Sequence, residues 1–150
     1  MNNFKKLIVW QKARVFVKDM YLITKKFPRE ELFGLTSQIR RATVSIALNI
    51  AEGSGRGTNA DFVRFLDIAY GSAFEVEATL ILSLDLEFIT NDEYEILDLK
   101  IQEIQKMISK LAESIRRETN RHETNRHETN RHETNRLIDT RPKKYKNLIV

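Results

Sequence analysis

Cysteine is absent from this chain, which excludes disulfides, thiolate metal sites and thiol nucleophiles together. Proline occurs twice and glycine five times in 150 residues, so little in the sequence interrupts a helix. No apolar run approaches the roughly 18 residues that a membrane span requires. The N-terminal stretch MNNFKKLIVWQKARVF breaks its short apolar run with lysines and offers no small-residue cleavage site, so it does not read as a signal peptide. Histidine is confined to His122, His127 and His132, in a pattern unlike the H-E-x-x-H of zinc hydrolases. What remains is a hydrophobic fraction of 41%, enough for one packed soluble domain. It is expected in the cytoplasm, with no metal, no cofactor and no membrane contact.

Helical periodicity accounts for most of the chain. Between Leu7 and Phe27 the residues Trp10, Ala13, Val17 and Met20 recur at helical spacing until Pro28 ends the pattern. Leu35, Ile39, Thr43, Ile46 and Ile50 mark a second helix, with Gly53 read as its C-terminal cap. Thr58 and Asp61 open a third helix that runs to about Glu87, and Thr90 with Glu93 forms a capping box for a fourth. In the fourth, Tyr94, Leu97, Ile101, Ile104, Ile108, Leu111 and Ile115 alternate steps of three and four, the mark of left-handed bundle packing. The expected fold is therefore all-α, an antiparallel up-down four-helix bundle over residues 1–117.

The third helix carries a surplus. Phe62, Leu66, Ala69, Ala73, Val76 and Leu80 make one apolar stripe, while Phe65, Ile68, Phe74, Ala78, Ile81 and Phe88 lie largely off it. A helix apolar on most sides is buried on most sides, so copies of the chain are expected to associate. Residues 118–136 are the pentapeptide ETNRH repeated without a substitution, and residues 137–150 form a basic tail. Five residues turn a helix by about 500°, so successive copies point about 140° apart and share no face. The repeat is expected to be a solvated spacer, with pairs such as Glu123 and Arg126 prolonging the fourth helix by a turn or two.

Charge is unevenly spread. Residues 1–27 hold seven basic groups and one acidic group, whereas residues 58–90 hold one basic and six acidic. That asymmetry either steers a polyanion to one surface or lets neighbouring segments attract each other. The segment GSGRG lacks both a preceding strand and a following Gly-Lys-Ser/Thr, so it is not a nucleotide phosphate loop.

On the second helix Gln38, Arg41, Ser45, Asn49 and Glu52 fall on one arc between apolar borders, and buried polar groups need partners. Glu75, on the acid-rich third helix, is the expected partner of Arg41, with Ser45 and Asn49 fixing helix register. A catalytic groove is the rival use of that line, but no nucleophile, metal or cofactor grip accompanies it, and no enzyme is expected. On the first helix, Lys5, Lys12 and Lys26 flank one edge of the apolar face, and Arg14, Lys18 and Lys25 flank the other. They are either rim cations with their heads in water or, multiplied in an assembly, a surface for an RNA or DNA backbone, helped by Arg40 and Arg56.

Leu7-x-Val9-Trp10-Gln11-Lys12-Ala13, Phe27-Pro28, Gly34-Leu35-Thr36-Ser37-Gln38-Ile39-Arg40-Arg41-Ala42, Ser45-Ile46 and Asn49-Ile50-Ala51-Glu52-Gly53 with Arg56, followed by Gly71-Ser72 with Glu75, carry a resemblance. Over about residues 4–117 the chain resembles the bacterial four-helix-bundle proteins of ribosomal-RNA intervening sequences. These are related to the accessory variability determinant of diversity-generating retroelements. The resemblance implies a homopentameric barrel without enzymatic activity. It also implies an RNA-associated role, or that of an interaction scaffold whose protein partner is an enzyme such as a reverse transcriptase.

Overall fold

The computed structural model describes residues 3–139, without the side chains at 123, 125–130 and 132–139. Four α-helices and no strand occur among the described residues: α1 (Ile8–Ile23), α2 (Leu35–Ser54), α3 (Asn59–Asp85) and α4 (Asn91–Asp139). The side chains of His127 and His132 and the tail beyond residue 139 lie outside the described residues. Contacts divide the chain into one compact unit over residues 1–115 and a second beginning at Arg116.

In the first unit one hydrophobic core draws on all four helices. The stripe Phe62, Leu66, Ala69, Ala73, Val76 and Leu80 of α3 is fully buried, as is the seam Leu97, Ile101, Ile104 and Ile108 of α4. On α1 the buried line is Val9, Ala13, Phe16 and Met20, not the line through Trp10 and Val17, which are half-buried at its edge. Both lines fit a wide apolar face, and Trp10 is drawn aside by an edge-on contact with Phe4, ring centroids 4.8 Å apart.

Partner order fixes the direction of neighbouring helices. Lys12 Nζ lies 2.9 Å from Glu103, Lys100 Nζ lies 2.7 Å from Asp19, and Lys26 pairs with Glu93, so α1 and α4 run in opposite senses. Between α2 and α3, Gln38 meets Glu75 and the Ser45 and Ser72 hydroxyls lie 2.9 Å apart, again in reversed order.

Caps follow the sequence closely at the starts of helices. The Thr58 hydroxyl accepts from the Asp61 N–H at 3.1 Å to open α3. Glu93 Oε2 accepts from the Thr90 N–H at 2.8 Å while the Thr90 hydroxyl accepts in return at 3.3 Å, the reciprocal box expected before α4. α3 ends at Asp85 with Leu86 as its C-cap, within two residues of the expected end near Glu87. Glu87 takes a left-handed φ of 58°, the Phe88 N–H donates to the Ser83 carbonyl at 2.8 Å, and the Phe88 ring reaches Phe27 at 5.4 Å.

Gly53 has a different role from the expected cap. α2 continues to Ser54 and Gly55 takes the C-cap position, leaving Gly53 buried inside the helix. A Cβ there would stand 2.7 Å from Phe65 Cβ and 2.8 Å from Phe62 Cδ2, so the glycine lets α2 and α3 approach closely just before the turn between them. Alanine is the better helix former by about 1 kcal/mol. Overpacking against a Cβ and a ring seated on the opposing helix costs about 1–3 kcal/mol and outweighs that gain. Gly53→Ala should therefore lose stability. Gly71→Ala, at an exposed α3 position where a Cβ meets nothing within 4 Å, should gain up to about 1 kcal/mol. Urea unfolding should move the two midpoints in opposite directions, and shifts of the same sign would refute the close crossing.

α4 also extends further than the turn or two expected past residue 118, continuing through the repeat to Asp139. No glycine or proline lies between Thr90 and Pro142, and the Glu and Arg of each copy are good helix formers, so local sequence supplies no stop.

Candidate nucleic-acid interface

The cations expected on one helix fall on three pieces, Lys5 in a 3-10 turn before α1, Lys12, Arg14 and Lys18 on α1, and Lys25 and Lys26 in a 3-10 turn after it, and they divide by partner. Lys12 and Lys26 are ion-paired with Glu103 and Glu93 of α4. The Lys26 hydrogen bond, joined by the Thr90 N–H, holds the Glu93 carboxyl below its ordinary range. Arg14, Lys18 and Lys25 on the opposite flank are exposed and have no ion-pair partner among the described residues, and the same holds for Lys5. Arg14 leans over the Trp10 ring at 5.6 Å, with its guanidinium in solvent. Arg56 pairs with Glu52 and lies over the Phe65 ring at 4.7 Å. The two strips read from the sequence are thus unequal: one carries salt bridges to α4, and the other presents unneutralised charge.

The polar line of α2 holds together differently from the expected Arg41 to Glu75 ion pair. Gln38 stands between them, donating its amide to Glu75 and accepting from Arg41. Arg41 and Glu75 are both exposed, so each charge keeps its water and an amide with both donor and acceptor bridges them, which avoids the desolvation that a buried pair would suffer. The half-buried middle of the line is a hydroxyl and amide cluster. Asn49 Nδ2 donates to the Ser45 carbonyl at 2.8 Å and to its hydroxyl at 3.0 Å, and Ser45 meets Ser72 across the helix pair. Glu52 turns away to Arg56.

The outer side of α2 forms the wall of an open groove of about 700 Å³, closed at one end by Tyr21 of α1 and by Leu32 and Phe33 of the turn before α2. Arg40 and Arg41 both line it. Arg40 Nε donates to the Thr24 hydroxyl at 2.8 Å, and its guanidinium lies over the Tyr21 ring at 4.7 Å. Phe33 is 92% exposed. Glu31 shapes the turn by accepting from the Leu35 N–H at 3.0 Å, capping α2 in place of the missing side chain at Gly34. The groove residues Tyr21, Phe33, Thr36 and Ser37 are not among the site residues expected from the sequence, where the local signal is the apolar pair Leu32-Phe33 in the turn PREELFG.

Acidic chemistry gathers elsewhere, between α3 and α4. Burial raises the Asp98 carboxyl above its usual range and the Glu77 charge adds to the shift, while Gln105 Nε2 donates to Glu77 at 2.7 Å. Among the described residues no group of histidine, aspartate and glutamate is arranged to hold a metal ion, and no helix is long and apolar enough to cross a membrane.

Residues 5–110 match the sequence profile of the 23S rRNA-intervening sequence proteins. The chain belongs to that family. The matched segment contains the free cations, the polar line and the groove of this intervening-sequence protein, and stops short of its pentapeptide repeat. Among solved structures it is similar to one from Bacteroides thetaiotaomicron, a protein with unknown function from the S23 ribosomal protein family. The two share 31% identity with a TM-score of 0.66 over 70% of this chain and 98% of the other. No curated protein matches the chain.

Proposed function

We propose that this protein is a non-enzymatic, self-associating up-down helical bundle of the cytoplasm that binds RNA through the free cations of its first helix. The observation that carries the reading is the cation split: Arg14, Lys18 and Lys25 stand exposed on one flank without carboxylates, in a family named for ribosomal RNA. Self-association is supported by Ile68, Phe74, Ala78 and Ile81 of α3, which remain exposed in a single chain, and a ring of five would bring five such flanks together. The resemblance to the retroelement accessory determinant belongs to the same reading.

Binding of a labelled RNA across a salt series tests it. Affinity should fall steeply and log-linearly as salt rises, because each phosphate contact releases counterions. Light scattering should give a mass near five chains. A second reading, a scaffold for a protein partner such as a reverse transcriptase, is favoured by the exposed apolar residues Ile8, Val15 and Leu22 of α1 and Ile96 and Leu99 of α4. Absence of RNA binding at low salt would decide for the scaffold.

A further inference from the structure

We infer that the groove on α2 seats one nucleotide of a single-stranded RNA, its base against Phe33 and its phosphate between Arg40 and Arg41. The inference rests on the RNA-binding reading and adds a second, strand-selective site to the sequence-independent flank on α1.

Three separate features of the groove call for the parts of a nucleotide. The first is paired cationic forks. Lys12, Lys26, Lys100 and Arg56 all have carboxylate partners, but Arg40 and Arg41 have none among the described residues. Arg40 is held in place through Nε by Thr24 and over its plane by Tyr21, which leaves its terminal nitrogens for a ligand, and Arg41 gives one nitrogen to Gln38. Planar guanidinium forks match phosphate oxygens two at a time. The second is Phe33, at 92% exposure the most solvent-open of the large hydrophobic side chains in the core unit, standing at the rim of a groove that Arg40 and Arg41 share with the apolar side chains Leu32, Val44 and Leu48 and with Glu52, whose carboxylate is paired with Arg56. Stacking a base on the ring would remove that face from water. The third is Thr36, which lines the groove, is 3% exposed and has a hydroxyl without a hydrogen-bond partner. A buried hydroxyl needs a partner, and a ribose or base edge supplies both donors and acceptors.

The selectivity follows from access. In an A-form duplex the bases are stacked inside, whereas a single strand can splay one out onto an aromatic ring. The flank on α1 meets only phosphates and takes either form.

The test uses the full chain, with circular dichroism to confirm folding; Phe33 and Arg41 are exposed, so both variants should fold. A fluorescein-labelled ten-nucleotide oligoadenylate and an RNA duplex of similar length are titrated by anisotropy. Phe33→Ala should weaken the single strand by about tenfold and leave the duplex unchanged. Arg41→Ala should weaken the single strand and flatten its salt slope by about 0.7. If the wild type binds RNA and both variants bind the single strand equally well, the groove proposal falls while the RNA reading stands. If the wild type binds neither RNA, both fall together. Displacement of the oligonucleotide by micromolar adenosine monophosphate would make a free nucleotide the occupant and overturn the strand. A drop in mass by light scattering for either variant would make the groove a contact between copies and overturn it equally.

Discussion

Phe16→Ala should lower the free energy of unfolding by about 3–5 kcal/mol, among the largest losses available to a single substitution in this chain. Phe16 is 1% exposed and is the largest of only four side chains that α1 buries, the others being Val9, Ala13 and Met20. Truncation removes both the transfer energy of the ring and the contacts of a cavity that a rigid helix cannot collapse to fill. A typical domain stands only about 5–15 kcal/mol above its unfolded state, so α1 and the cations it carries would be weakly held. Urea unfolding measures the loss, with Val15→Ala, 53% exposed on the same helix, as the control expected near zero. A loss for Phe16→Ala below about 1 kcal/mol would mean that α1 does not pack through this face.

The long elements were legible because their signals are redundant. Six stripe residues on α3 and an unbroken three-four seam on α4 each give many independent votes for one face, and all of the α3 stripe and the centre of the α4 seam are buried. α1 was legible as a helix but not in rotation, since Val9 and Trp10, or Phe16 and Val17, are adjacent apolar residues and periodicity alone does not rank them. Gly53 was misassigned for a related reason. A glycine near a helix end satisfies the rule for a cap, whereas its close approach to Phe62 and Phe65 exists only once α3 is folded back against α2.

The site was legible in residue type and illegible in pairing. Residue pattern alone points to a direct Arg41 to Glu75 pair, yet Gln38 joins them, because an exposed rim favours an amide bridge over a desolvated ion pair. Which strip of α1 keeps its charge depends on where Glu93 and Glu103 of α4 come to rest, a long-range fact that no local pattern carries. The groove depends on Phe33 being turned outward by the capped turn at Glu31 and Gly34, again a tertiary outcome.

That unequal split gives the sharpest functional prediction. Replacing Arg14, Lys18 and Lys25 together with alanine should weaken single-stranded RNA binding on the order of a hundredfold at 0.1 M monovalent salt. The magnitude of the slope of log affinity against log salt should fall by about 2, from roughly 0.7 per lost phosphate contact. The comparison that gives this meaning is the double variant Lys12→Ala, Lys26→Ala. Those ammonium groups already face Glu103 and Glu93, so their potential at a passing backbone is largely cancelled, and their removal should change the slope by well under 1. Both variants lower the net charge, and a protein that merely attracts polyanions by total charge would lose affinity in proportion to the number of cations removed. Equal losses per residue in the two variants would therefore place the binding in overall charge and remove the free flank of α1 from the interface, whereas a steep loss confined to the triple variant requires the polyanion to lie along Arg14, Lys18 and Lys25.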